Sequence, residues 1–305
     1  MKVTAKHIPA NHRTKHFRLL LLVLCGLLIF PAATAQISKQ SQTESRFASL
    51  DRSRIRYQSF GKGRDALVLI HGWTCNLDYW RDMIPDLSKR SRVIAIDLPG
   101  HGQSDKPQVA YTMDLFARAV DAVMRDAGVK RAVLVGHSMG TPIARQFYRK
   151  YPQKTLAIVI VDGALRPFGD KKTMDGFMAP LRGPNYKEAG KQMLAGMAGP
   201  NLAPEIKEQI QTSFLNTPQY VIVSAMEGMA DESIWGQDKI NVPVLAILAK
   251  SPFWPPDTEQ FYRSIAPKLD FQMWEGVGHF LMIEKPKEFD DAVIAFLNQN
   301  ALLKK

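Results

Sequence analysis

Cysteine is scarce in this 305-residue chain, which contains only Cys25 and Cys75. So few thiols exclude the disulfide framework of small secreted domains, and stability has to come from packing. We interpret Cys75 as a small buried residue rather than a nucleophile. The chain also lacks an apolar run of the roughly 20 residues that a membrane-spanning helix needs. Its longest apolar run, residues 19–30, has 12 residues.

No long block of lysine and arginine is present, although the net charge is +11. Five of these charges belong to Lys2, Lys6, Arg13, Lys15 and Arg18, in a segment without acidic residues. The remaining six are a modest excess for a chain of this length. The sequence therefore does not favour a nucleic-acid partner.

The first 35 residues have the three parts of a secretory signal peptide. The basic residues precede the apolar run, and residues 33–35, Ala-Thr-Ala, offer a small-residue cleavage site. We predict cleavage after Ala35, a mature chain that begins at Gln36, and a periplasmic or secreted protein with no membrane span after cleavage. The alternative is that the segment is retained as an uncleaved anchor.

Apolar runs alternate with helical patterns along most of the remaining chain. The continuous apolar runs are typical of strands buried on both faces; they lie at residues 66–70, 93–96, 132–135, 157–161 and 242–249, and a last strand is expected at 269–274. Helical patterns lie between them, for example at 77–87 and 112–127. This alternation predicts an α/β fold with a mostly parallel central sheet and helices on both faces. Before it, we predict a mobile lead-in at 36–50 and an edge strand at 54–60.

The alternation stops between about residues 165 and 235. This segment contains glycine and proline punctuation, six methionines and a helical pattern at 204–216. We predict that it is a helical cap insertion within a single domain at 36–305. Methionine suits surfaces that accommodate irregular apolar shapes, and simple packing of the cap onto the core explains the methionines equally well.

The sequence Gly136-His137-Ser138-Met139-Gly140 joins a predicted strand to a predicted helix. In this setting the pattern G-x-S-x-G places a serine on a tight turn with its hydroxyl exposed. The N-terminus of the following helix offers free N–H groups to a developing oxyanion. Ser138 is therefore the candidate nucleophile.

A serine nucleophile needs a general base, and only four histidines follow residue 35. His279 follows the last predicted strand, at the carboxyl edge of the sheet where catalytic groups collect, and is the candidate base. His137 adjoins Ser138 in sequence and cannot easily turn back onto it. His71 and His101 lie in glycine turns, where we expect them to be hydrogen-bonded turn residues.

Two carboxylates compete to orient His279. Asp162 ends the strand that precedes the insertion, and Asp257 lies at the start of a predicted helix, where acidic residues commonly cap. We favour Asp162 and keep Asp257 as the alternative. The backbone N–H groups of Trp73 and Met139 are the expected oxyanion donors. No metal or organic cofactor is implied.

These motifs, in this order, resemble the α/β-hydrolase fold family, in particular its cap-bearing serine esterase-like members. The matching residues span almost the whole mature chain; they are His71-Gly72-Trp73, the run from Asp97 to Asp105, Gly136-His137-Ser138-Met139-Gly140 and Gly278-His279-Phe280. The serine at the nucleophile position differs from the aspartate of the dehalogenase and epoxide-hydrolase branches. The resemblance implies a serine hydrolase that acts on a small molecule.

One position departs from the family pattern. Members usually carry the acid just after the strand that corresponds to residues 242–249, and here Ser251 stands where that aspartate is expected. Some relatives carry the acid after the preceding strand, where Asp162 stands.

The resemblance implies hydrolysis of an ester, thioester or lactone with a mainly apolar acyl part. Alternatives are a cofactor-free perhydrolase, a carbon–carbon bond hydrolase, or a ligand-binding receptor with a slow triad.

Overall fold

The computed structural model describes residues 44–303, except for the side chain of Lys171, so the predicted signal peptide and its cleavage site lie outside the described residues. Eight strands form one sheet: β1 Arg46–Leu50, β2 Ser53–Phe60, β3 Asp65–Ile70, β4 Arg92–Ile96, β5 Arg131–His137, β6 Thr155–Val161, β7 Val244–Ala249 and β8 Leu269–Trp274. Their order in the sheet is β1-β2-β4-β3-β5-β6-β7-β8. Strands β3 to β8 are parallel to one another. Strand β2 pairs in an antiparallel manner with β1 on one side and with β4 on the other.

Helices follow most of the parallel strands. Outside the insertion they are α1 Ile84–Arg90, α2 Met113–Asp126, α3 Gly140–Lys150, α8 Thr258–Ile265, α9 Leu281–Glu284 and α10 Pro286–Gln299. Helix α2 packs against α3, and α1 packs against α10. Every residue of β7 is buried, which requires protein on both faces of the sheet. The predicted α/β fold class with a mostly parallel sheet is confirmed.

The edge of the sheet differs from the sequence prediction. Residues 46–50, predicted as part of a mobile lead-in, form β1, and the predicted edge strand β2 lies between β1 and β4. Strand β1 turns only Ala48 and Leu50 inward, so its apolar signal is short. Asp51 and Arg52 close the β1–β2 hairpin with φ of 47° and 68°. Two consecutive positive φ values are typical of a two-residue hairpin turn.

The helix predicted at 77–87 is divided in the structure. A 3₁₀ segment, Leu77–Trp80, is capped by the Asn76 side chain, and α1 begins at Ile84. Pro85 lies in the first turn of α1, where its missing N–H removes no helical hydrogen bond. The proline therefore favours a second helix start over one continuous helix.

Four helices lie between β6 and β7: α4 Lys171–Arg182, α5 Tyr186–Met197, α6 Pro204–Leu215 and α7 Gln219–Ala230. We call residues 171–235 the helical insertion; it ends with a 3₁₀ segment, Glu232–Trp235. Helix α4 packs on α5 and α7, and α7 also contacts α2 of the main domain. Within residues 44–303, no helix is long and apolar enough to cross a membrane.

Candidate active site

Ser138 occupies a strained turn between β5 and α3. Its φ is 52°, a value that residues other than glycine rarely adopt. The turn is so tight that a methyl group added at Gly136 would lie 2.3 Å from the carbonyl oxygen of Gly140. Backbone strain of this kind persists where the surrounding structure holds it, and it turns the serine out from the sheet edge.

The structure brings His279 and Asp162 together. Nδ1 of His279 lies 2.6 Å from Oδ2 of Asp162. The other carboxylate oxygen of Asp162 accepts the backbone N–H of Ala249 at 2.8 Å. Asp162 is 7% exposed, so its orientation is fixed by these partners rather than by water. Because a carboxylate only accepts hydrogen bonds, the imidazole proton of His279 lies on Nδ1. Nε2 of His279 can therefore accept a proton.

The backbone of His279 is held from two sides. Its N–H donates to the carbonyl of Met197, at the end of α5, at 3.1 Å. Its carbonyl lies 2.8 Å from Nε2 of His137, the residue that precedes Ser138. These contacts place the candidate base beside the serine turn. Among the described residues, the Ser138 hydroxyl forms no hydrogen bond with His279. In unliganded active sites, the hydrogen bond between nucleophile and base is often long and shortens when substrate binds.

Two backbone N–H groups are available near Ser138. In the part of the chain that the structure describes, neither Trp73 N–H nor Met139 N–H donates a hydrogen bond. Met139 is the N-cap residue of α3, so its N–H lies at the positive end of the helix dipole. The Trp73 indole Nε1–H donates to Ile222 of α7 at 2.9 Å. The oxyanion assignment stays a prediction, with both groups free to perform it.

Asp257, the alternative acid, has a different partner. Arg166 binds it through two hydrogen bonds of 2.6 and 2.9 Å, and these bonds lower the pKa of the Asp257 carboxyl. Asp257 is the N-cap residue of α8, but its side chain accepts no capping hydrogen bond. Ser251, at the usual acid position, accepts the N–H of Phe253 in a turn. Geometry therefore places Asp162, and not Asp257, behind His279.

The remaining histidines have local partners. Nδ1 of His71 lies 2.7 Å from the Gly72 carbonyl, and Nε2 of His71 accepts the N–H of Leu98 at 3.0 Å. Nδ1 of His101 lies 2.9 Å from the Pro99 carbonyl. Burial lowers the pKa of His71 to about 4 and that of His101 to about 3. Both are neutral, hydrogen-bonded turn residues, as expected from the sequence.

Cys75 is buried, and its burial raises the pKa of the thiol to about 12. A protonated thiol of this kind is a poor nucleophile, which agrees with the interpretation of Cys75 as a packing residue. Among the residues described here, no group of three His, Cys, Asp or Glu side chains is arranged to hold a metal ion.

Several contacts at the site were not foreseen. Backbone carbonyls of the insertion, at Met197 and Ile222, bind His279 and Trp73, and Asn201 donates to the Gly276 carbonyl at 2.8 Å. Backbone acceptors carry no side-chain signal in a sequence, so no pattern could have identified them. The helical insertion therefore contacts both the loop of the candidate base and a candidate oxyanion residue.

Comparisons with known proteins agree with this fold. The family model described as alpha/beta hydrolase fold matches residues 65–286. The structure of Est816, described as an N-acyl homoserine lactone degrading enzyme, has 26% sequence identity and a TM-score of 0.71. That match covers 82% of this chain and 100% of the Est816 chain.

Two curated relatives extend the comparison. A dihydrolipoyllysine-residue acetyltransferase component of an acetoin cleaving system from Cupriavidus necator is 37% identical over 125 residues, which are 41% of this chain and 33% of that protein. The chain thus matches about a third of the length of that relative. A 2-hydroxy-6-oxo-6-(2'-aminophenyl)hexa-2,4-dienoic acid hydrolase from Metapseudomonas resinovorans is 26% identical over 286 residues, with 87% of this chain and 96% of that protein covered.

Proposed function

This chain belongs to the alpha/beta hydrolase fold family, and from that premise we propose that it is an exported serine hydrolase. The bond that it cleaves is of the ester type: an ester, a thioester or a lactone of a mainly apolar small molecule. The reaction passes through an acyl-enzyme. Besides substrate and water, it uses only the side chains and backbone of the site already described.

The contact that supports this proposal most strongly is the 2.6 Å hydrogen bond between His279 and Asp162. A carboxylate in this position keeps the imidazole in the tautomer that can accept a proton, and stabilises the imidazolium that follows. The absence of an acid at Ser251 is the one sequence feature that favours a receptor with a slow triad. The hydrogen bond between Asp162 and His279 supports a hydrolase over that alternative.

The proposed reaction has two halves. Ser138 Oγ attacks the carbonyl carbon while Nε2 of His279 takes the hydroxyl proton, and Trp73 and Met139 N–H groups stabilise the oxyanion. His279 then gives the proton to the leaving oxygen or sulfur, which leaves an ester on Ser138. Water, deprotonated by His279, attacks this ester and releases the acid.

Apolar surface near the proposed oxyanion donors supports an apolar acyl group. The Trp73 ring packs edge-on against Phe214 of α6, with centroids 5.8 Å apart. Both side chains are buried, so the surroundings of the proposed oxyanion donor Trp73 are apolar and aromatic. The Est816 match, to a protein described as degrading an acyl lactone, agrees with this class of substrate.

A panel of p-nitrophenyl esters from two to twelve acyl carbons tests the proposal. We expect turnover of at least part of the panel, and a loss of at least about 10⁴-fold in the Ser138→Ala variant. Thermal unfolding of both proteins is the control for folding. No turnover by the folded wild type, or equal turnover by Ser138→Ala, would contradict the proposal.

A carbon–carbon bond hydrolase is the second candidate, because the Metapseudomonas resinovorans relative, described as a hydrolase of a hydroxy-oxo-dienoic acid, matches 87% of this chain. The two candidates use the same residues and differ in substrate. A vinylogous dienoate ketone assayed beside the ester panel separates them. Faster cleavage of the dienoate than of every ester would favour the second candidate.

A further inference from the structure

The His137 side chain turns away from Ser138 and towards the loop that carries the base. Its Nε2 lies 2.8 Å from the carbonyl oxygen of His279, and the two imidazole rings are 4.8 Å apart between centroids. A carbonyl only accepts, so Nε2 of His137 carries the proton and donates it. This contact joins residues that are 142 positions apart in the chain.

The opposite edge of the same ring faces the candidate oxyanion loop. A methyl group added at Gly72 would lie 3.0 Å from Nδ1 of His137, so the glycine lets the backbone approach the ring closely. The next residue is Trp73, a candidate oxyanion donor. Nδ1 is buried and, among the described residues, has no hydrogen-bond partner. One imidazole therefore lies between the oxyanion loop and the base loop.

The surroundings fix this ring. Trp80 contacts it edge-on at 6.5 Å and Phe280 contacts it at 5.4 Å between centroids. His137 is 1% exposed, so water cannot replace its hydrogen bond to His279. Burial, and then the neighbouring His279, lower the pKa of His137 well below its usual range. The ring therefore stays neutral and adds no positive charge beside the imidazolium of His279.

We propose that His137 is a positioning residue, which sets the distance of the His279 loop from Ser138 through its Nε2–H bond to the His279 carbonyl. This inference rests on the proposed function, because positioning matters only if His279 is a base. His137 touches no reacting atom in this account. It acts through the backbone of His279, and small misplacements of a catalytic group cost about 10²-fold in rate.

If His137 had a purely structural role, its variants would have different kcat values from those that a positioning role predicts. If the ring only fills space, a side chain of similar volume without a donor should preserve kcat, whatever it does to stability. If the donor matters, the glutamine side chain should preserve kcat, because its amide N–H₂ reaches about as far as Nε2. The shorter asparagine side chain should not reach the His279 carbonyl.

The test compares His137→Leu, His137→Gln and His137→Asn in steady-state kinetics on the best ester of the panel. We expect kcat to fall roughly 10- to 100-fold in His137→Leu and His137→Asn, with KM within about threefold, and to stay within about threefold in His137→Gln. His101→Gln is the matched control, a buried histidine outside the catalytic group; it should lower the melting temperature and keep kcat. Circular dichroism and thermal unfolding verify the fold of each variant.

Nitrogen-15 NMR of the histidines gives a second readout that does not depend on turnover. We expect His137 to be the neutral Nε2–H tautomer from pH 6 to 8, and the Nδ1–H signal of His279 to shift in His137→Leu. If wild type hydrolyses esters and His137→Leu keeps wild-type kcat, or if His137 is the Nδ1–H tautomer, the inference is wrong while the proposed function stands. If wild type hydrolyses no ester and fails to label with a fluorophosphonate, the proposed function is wrong, and the inference that rests on it is wrong as well.

Discussion

Asp162 ends β6 and His279 follows β8, yet the Asp162 carboxylate lies 2.6 Å from Nδ1 of His279. Strand β7 separates the two strands in the sheet, and its last residue, Ala249, donates its N–H to the same carboxylate. The candidate acid thus reaches across β7 to the candidate base. In the proposed enzyme, this arrangement provides the carboxylate that Ser251 cannot supply.

The first prediction separates the two carboxylates. Asp162→Asn should lower kcat by roughly 10³- to 10⁴-fold, because an amide can present a donor to Nδ1 and favour the wrong tautomer. Asp257→Asn should change kcat less than about threefold, since it breaks only an exposed ion pair with Arg166. Ester turnover measures both, with thermal unfolding as the control. A large loss confined to Asp257→Asn would refute the assignment of the acid.

The second prediction concerns the link between Trp73 and α7. Trp73→Phe keeps the backbone N–H and the aromatic surface, and removes the indole hydrogen bond to the Ile222 carbonyl. We expect about 1–3 kcal/mol of destabilisation, because a buried acceptor is left without its donor. We expect kcat to change by less than about tenfold. Urea unfolding and ester kinetics measure the two effects; unchanged stability would show that the bond is unimportant.

The third prediction is a loss of stability in mild acid. His71 and His101 have folded-state pKa values of about 4 and about 3, below the value of 6.5 expected in the unfolded chain. Their contribution to stability is therefore present above pH 6.5 and is lost as the pH falls towards 4. Each should contribute about 1.4 kcal/mol per pH unit in this window. Urea unfolding between pH 7 and 5 should show a smaller slope in His101→Gln than in wild type.

The fourth prediction concerns Asp290 in α10. Burial, then Asp86 and Asp291, raise the pKa of its carboxyl to about 7, above the unfolded value of 3.8. Its contribution to stability is thus lost as the pH rises through 7. One buried oxygen of Asp290 has no hydrogen-bond partner among the described residues. Asp290→Asn should raise the free energy of unfolding by about 1 kcal/mol or more at pH 8, and by less at pH 5. An equal increase at the two pH values would contradict this prediction.

The fifth prediction concerns export, which rests on sequence alone. Expressed from the full chain in a bacterial host, the protein should begin at Gln36 after secretion across the inner membrane. N-terminal sequencing of the periplasmic or secreted fraction checks this. Recovery of the chain in the membrane fraction with Met1 in place would instead favour an uncleaved anchor.

Much of the sheet and part of the site could be predicted because their signals are local. The strand, turn and helix around Ser138 adjoin one another, and the small number of histidines narrowed the search for a base to His279. Strand β1 was missed because it turns inward only two apolar residues. The sequence favours Asp162 over Asp257 only weakly, because the choice depends on how β6, β7 and β8 lie beside one another.

Other contacts had no sequence signal at all. In the sequence, His137 is only the neighbour of Ser138, whereas in the folded chain its ring donates a hydrogen bond to the His279 carbonyl. The Met197 carbonyl is a backbone group, and any residue could supply it. Contacts of this kind follow from the packing of the helical insertion against the loops of the sheet.

Labelling with a fluorophosphonate probe, followed by mass spectrometry of the labelled peptide, tests directly whether Ser138 is the nucleophile. We expect a single covalent adduct on Ser138 in wild type, none in Ser138→Ala, and labelling slowed by at least about 10²-fold in Asp162→Asn. Asp257→Asn should label like wild type. A folded wild-type protein that remains unlabelled, or that carries the adduct on a residue other than Ser138, would contradict the account.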